Sequence, residues 1–128
     1  MCVVSNKAVR AEIRTFLKKF KKSAKDNGIY FVNRKKNMDT LIELGITIDE
    51  AIERIMTIST GDYSSGPLKD HQSDKGEIWI FSKKVNELNI YVKLRFCETS
   101  EWGKQAAAVL SFHEPKYNIY LPHKSIKK

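Results

Sequence analysis

Near the start of the chain, apolar residues recur at helical spacing. Val9, Ile13, Phe16, Leu17 and Phe20 form one stripe, and Arg10, Arg14, Lys18, Lys19, Lys21, Lys22 and Lys25 occupy the other faces. Ser5 is placed to cap this helix and Asn27-Gly28 to end it, which predicts a helix over about 6–25. Ile29 to Val32 is a short apolar run with the look of a strand, and Asn33 to Asn37 reads as a basic loop. A helical region follows over about 39–58. Asp39 is the candidate cap of its first part, Gly45 closes that part, and Thr47 with Glu50 makes a capping box for the second.

Beyond residue 58 the pattern changes. Residues 59–75 hold Gly61, Gly66, Pro67 and several serines, and predict a long loop. From Glu77 the chain reads as strands. Ile78 to Phe81 is a buried run, Asn86 to Asn89 is a hairpin turn, and Ile90 to Phe96 alternates cleanly. In that strand Ile90, Val92, Leu94 and Phe96 face one way, while Tyr91, Lys93 and Arg95 face the other. Ala106 to Phe112 is a further strand, and Tyr117 to Leu121 a short edge strand stopped by Pro122. The prediction is an α+β domain of two layers spanning 1–128, with N-terminal helices packed on a three- to four-stranded antiparallel sheet over 77–121.

Charge changes the picture by its placement. The chain carries 23 Lys and Arg against 15 Asp and Glu, a formal charge of +8. Residues 1–36 hold eleven of the basic residues and two acids, so the whole excess sits in the first quarter. Such a segment attracts nucleic acid, an anionic membrane or an acidic protein. No apolar run approaches membrane-spanning length, and the opening residues lack a signal-peptide pattern. Two distant cysteines, Cys2 and Cys97, make no disulfide framework. The expectation is a cytoplasmic protein without a membrane role.

Glycine-rich phosphate loops, dinucleotide fingerprints and nucleophile elbows are absent from the sequence, and its three histidines are scattered, so no metal or other cofactor is expected. What antiparallel pairing could assemble is a cluster of Lys83, Lys84, Tyr91, Lys93, Arg95 and His113 on one sheet face. Cations with an imidazole suit cleavage of an RNA backbone. One group takes the ribose 2′-OH proton, cations hold the charged phosphorane, and an acid protonates the leaving oxygen. Trp79 reads as core rather than as a stacking platform, and Tyr63 as either a loop anchor or a base-stacking or proton-transferring group.

The wording RKKNMDTLIELGIT, ISTGDYSSGP, GEIWIFSKKV, IYVKLRF and AVLSFHEPKY, spread over about 29–118, resembles the MqsR family of toxins, within the RelE-like ribonuclease fold. The resemblance implies helices packed on an antiparallel sheet and metal-independent endonucleolytic cleavage of messenger RNA. It also implies silencing by a cognate antitoxin protein. The family's Tyr-x-Lys strand corresponds to Tyr91-Val92-Lys93, and its closing Ser-Phe-basic to Ser111-Phe112-His113. Two positions depart from the family: Phe81 stands where it has a tyrosine, and Ser64 where it has a basic residue. Either Lys83, Arg95 and Tyr63 supply those roles, or activity is altered.

The resulting expectation is an endoribonuclease with His113 as general acid or base and Lys83, Lys93 and Arg95 as phosphate-binding cations. Tyr63 joins them as a base-stacking or auxiliary group, and Glu114 either orients His113 or simply faces water. Lys18, Lys19, Lys21, Lys22, Lys84 and Tyr91 are the RNA-binding candidates, the helix tracking RNA away from the cut or receiving an acidic antitoxin segment. The ribosome is a further candidate partner. Two alternatives remain: a non-catalytic RNA-binding or regulatory module of this fold, and a protein-interaction domain that docks an acidic partner.

Overall fold

The computed structural model describes residues 9–69, 76–97, 107–116 and 119–123. Its elements are α1 (Arg10–Asn27), β1 (Ile29–Phe31), α2 (Lys35–Leu44) and α3 (Ile48–Ile55), then a short 3-10 turn (Thr60–Asp62). Four strands follow: β2 (Tyr63–Lys69), β3 (Gly76–Val85), β4 (Leu88–Cys97) and β5 (Ala107–His113). The strands form one sheet in the order β1-β5-β4-β3-β2.

The two-layer α+β arrangement matches the sequence expectation, but the sheet differs from it. It has five strands rather than three or four, and it is mixed, because β1 runs parallel to β5. The extra strands are its two edges. β2 lies inside the expected 59–75 loop, where Gly66, Pro67 and serine neighbours carry little strand propensity. An edge strand tolerates them because one side of its backbone needs no ladder partner, and β2 is irregular in register at two places. Gly66 is required there. Its φ is +119°, and a β-carbon on it would stand 2.8 Å from the Ile78 carbonyl oxygen.

Local signals account for most boundaries. The Thr47 hydroxyl accepts the Glu50 amide at 3.1 Å, and the Glu50 carboxylate accepts the Thr47 amide at 2.9 Å. Gly45 ends α2 in the left-handed region at φ 70°. Asp39 is no cap. α2 starts four residues earlier, and Asp39 pairs with Lys35 one turn back at 2.8 Å. The β3–β4 turn is the two residues Asn86 and Glu87, both at positive φ, as a tight hairpin matching strand twist requires. The Asn86 amide nitrogen also donates to the Leu44 carbonyl at 3.2 Å, tying the hairpin to the end of α2. The Ser5 cap falls outside the described residues, as do Tyr117 and Asn118 of the expected last strand. Residues 119–121 of that segment are not in a strand.

One face of the sheet carries the main core. Ile13, Phe16, Leu17 and Phe20 of α1 pack with Trp79, Phe81, Val92, Leu94, Val109 and Phe112. Trp79 belongs here, stacked on Phe16 with ring centroids 4.6 Å apart. Phe81 is fully buried against the same ring. The face turned away from the helices is not uniformly polar. Ile78, Ala108 and Leu110 form a smaller apolar cluster near one end, with Leu68 and Val32 against it.

Candidate functional site

Strand alternation assigns each predicted side chain to a face. In β3, Trp79, Phe81 and Val85 point into the core, and Lys83 has the same parity. Its ammonium lies 3.4 Å from the Thr57 carbonyl and 3.8 Å from the Asp62 carboxylate, on the helix side. Lys83 therefore does not join the expected cation cluster. Its cross-strand partner is Ile90, a core residue, and that pairing decides the matter. Lys84, paired with Asn89, has the opposite parity and belongs to the outer face near the hairpin.

Tyr91, Lys93 and Arg95 of β4 share that outer face, as expected. His113 joins them only because β5 contains a bulge. Lys93 pairs with Ser111, but Leu94 pairs with Val109, so Leu110 is an extra residue. Without it, simple alternation from Val109 would turn His113 toward the helices. With it, Phe112 enters the core, and Ser111 and His113 face outward.

Asn37 holds the bulge. Its side chain is fully buried. Its amide nitrogen donates to the Leu110 carbonyl at 3.2 Å and the Val32 carbonyl at 3.0 Å, and its amide oxygen accepts the Phe112 amide at 2.9 Å. The two β5 groups beside the bulge, the Leu110 carbonyl and the Phe112 amide, are thus satisfied by one side chain, which also ties them to the Val32 carbonyl ahead of α2. The sequence reading put Asn37 in a loop. Its one sequence signal is a polar residue four positions before Leu41, on the buried side of α2.

The outer face has a groove of about 440 Å³ lined by Ser64, Ser65, Ile80, Tyr91, His113 and Tyr120, among others. On its floor the Tyr91 and His113 rings lie 5.4 Å apart at 31°. The His113 Nδ1 stands 2.9 Å from the Glu114 carbonyl oxygen. A carbonyl can only accept, so this bond puts the proton on Nδ1 and leaves Nε2 of the neutral ring as a base. Glu114 thus orients His113 through its backbone, not its carboxylate. Burial pushes the Tyr91 phenol above its ordinary range, so it stays protonated and available as a donor.

Lys93 is the next outward residue along β4 after Tyr91, opposite Ile80 and Ser111, with no hydrogen bond or ion pair among the described residues, and it does not itself line the groove. Arg95 lies two residues further along β4, opposite Ile78 and Ala108 and away from the groove. Tyr63 is not at the surface. It is fully buried between Trp79 and Phe81, and its hydroxyl donates to the Gly66 carbonyl, which makes it the anchor of β2.

The helix lysines also separate. Lys18 and Lys19 are exposed. Lys22 pairs with Asp26 at 2.9 Å. Lys21 donates to the Ile58 carbonyl at 2.6 Å, and burial, then repulsion from Lys83, lowers its pKa despite Asp62 nearby. α1 packs on the face opposite the groove, so these lysines and the Tyr91–His113 pair are on different sides of the sheet.

Among the described residues there is no group of three His, Cys, Asp or Glu side chains placed to hold a metal ion. No helix among them is long and apolar enough to cross a membrane. No family model, no curated protein and no solved structure matches the chain.

Proposed function

We propose that the protein is a metal-independent endoribonuclease that cuts messenger RNA, a toxin of the kind its resemblance to the MqsR family implies. A RelE-like scaffold and a silencing antitoxin belong to the same reading. The Tyr91–His113 pair on the groove floor, with Lys93 beside it, carries the proposal. His113 Nε2 takes the proton of a ribose 2′-OH. The 2′ oxygen attacks the adjacent phosphorus, the bond to the 5′ oxygen breaks, and a 2′,3′-cyclic phosphate forms. The Tyr91 phenol protonates the departing 5′ oxygen and recovers its proton from the imidazolium beside it. Lys93 offsets the charge that builds on the phosphorane. DNA lacks the 2′ nucleophile and is not cut.

The test is cleavage of RNA in the presence of EDTA by wild type and by His113→Ala. Cyclic-phosphate ends are expected from wild type, with a loss on the order of 10²–10⁴-fold in the variant. Equal cleavage by the two proteins removes His113 from the mechanism.

A second reading, a non-catalytic RNA-binding module of the same fold, is favoured by one observation. Lys83 and Arg95 do not gather around His113. RNA binding by pure wild type without any cleavage would select it.

A further inference from the structure

Arg10, Arg14 and Lys18 follow one another at four-residue spacing on α1, so they stand in one row about 12 Å long. All three are exposed. Arg14 and Lys18 make no hydrogen bond or ion pair among the described residues, whereas Lys21 and Lys22 are both engaged within the protein. A row of cations without ion pairs among the described residues, two of them also without hydrogen bonds, suits at steps of about 6 Å the repeating charges of an extended nucleotide backbone.

This row and the groove lie on opposite layers, and they meet at one place. β2 is the edge strand of the sheet. On its outer side Ser64 and Ser65 line the groove, together with Tyr120. On its inner side the Arg10 guanidinium donates to the Thr60 hydroxyl at 3.4 Å, just before β2 begins, and to the His123 carbonyl at 2.8 Å. The His123 ring in turn stands 5.8 Å from Tyr63, the first residue of β2. Residues 120–123 join the two places: Tyr120 lines the groove, and the His123 carbonyl accepts Arg10 at the start of the cation row. Lys116, exposed on the groove side, extends the positive path.

We infer that one RNA strand leaves the groove over the β2 edge and lays its phosphates along Arg10, Arg14 and Lys18. This rests on the groove being the cutting site. The cation row then serves as a one-sided grip on RNA outside the cut, and the protein favours substrates long enough to reach it.

The experiment compares three RNAs that share one cleavage site: a short oligonucleotide that fills only the groove, and versions extended on the 5′ or the 3′ side. Wild type should cleave one extended RNA roughly tenfold more efficiently than the short one, and the other extension should bring no gain. In Arg14→Glu/Lys18→Glu that preference should collapse toward unity. The salt dependence of binding to the favoured RNA, read in a His113→Ala background, should flatten by about 0.7 log units per log of salt for each contact removed. A preference that survives in the charge-reversed protein overturns the track, as does equal cleavage of all three RNAs by wild type. In both cases the cutting site stands. If none of the RNAs is cut, the cutting site falls and the track with it.

Discussion

The two sides of the sheet treat the same kinds of residue in opposite ways. On the helix-covered side, a lysine and a tyrosine are consumed by the structure. Lys83 is spent on the Thr57 carbonyl and Asp62, and Tyr63 on the Gly66 carbonyl. On the outer side, Lys93 has no hydrogen bond or ion pair among the described residues, and Tyr91 keeps a half-buried phenol at the floor of a groove. Residue type therefore does not decide which of these side chains the structure engages. Strand parity does, and a single bulge in β5 sets the parity of its histidine.

The strongest way to break that contrast is to remove the support of the bulge. Asn37→Ala leaves the buried Leu110 carbonyl and Phe112 amide without their side-chain partner, and removes one of the two donors to the Val32 carbonyl. It should cost about 2–4 kcal/mol in urea unfolding. Asn37→Asp should be destabilised as well at neutral pH, since a carboxylate would face two carbonyl oxygens. It should regain stability as the pH falls, because the protonated acid can donate to one of them. If Asn37→Ala unfolds at the wild-type urea midpoint, the bulge holds itself.

A smaller effect separates the two lysines. Lys83→Met should lower stability by no more than about 1 kcal/mol, since its pair with Asp62 keeps some solvent contact and is screened, and should leave RNA affinity alone. Lys93→Met should do the reverse. Its stability should stay within about 0.5 kcal/mol of wild type. Its salt slope for RNA binding should fall by about 0.7, the share of one phosphate contact. Urea titration and salt-dependent binding on both variants decide it, and matching profiles would erase the distinction between the faces.

The smallest effect is in alkali. Burial raises the Tyr91 pKa in the folded protein, so the folded state holds this proton more tightly than the unfolded chain does. The contribution is complete below the unfolded phenol's pKa, about 10, and is lost as the pH rises from there through the folded value. Tyr91→Phe should therefore lose less stability than wild type between neutral pH and the region above pH 10. Parallel declines in thermal melts would show the phenol to be solvated.

Much of the fold was legible because its signals are local. The apolar stripe of α1, the Thr47–Glu50 box, Gly45, the alternation of β4 and the core position of Trp79 all come from neighbours within a turn or a strand. The parallel pairing of β1 with β5 left no trace, since nothing in Ile29 to Phe31 specifies a partner far along the chain. β2 was hidden by residues that only an edge strand accepts. The site was half legible for a related reason. Tyr91, Lys93 and Arg95 followed from alternation alone, and the helix-side placement of Lys83 followed only once the hairpin register paired it with Ile90. The bulge at Leu110 is invisible in a run that is apolar from Ala107 to Leu110, and its partner Asn37 is more than seventy positions away.

That parallel pairing also has a consequence for synthesis. Ile29 sits against Ala107, so one of the earliest strands to leave the ribosome waits for the last one before it can pair. Contacts so distant in sequence form late and slowly. β5 also carries His113, so the groove is completed by the same event that closes the sheet. A nascent or truncated chain that lacks β5 lacks His113, so under the proposed mechanism it has no base with which to cut the message from which it is being translated.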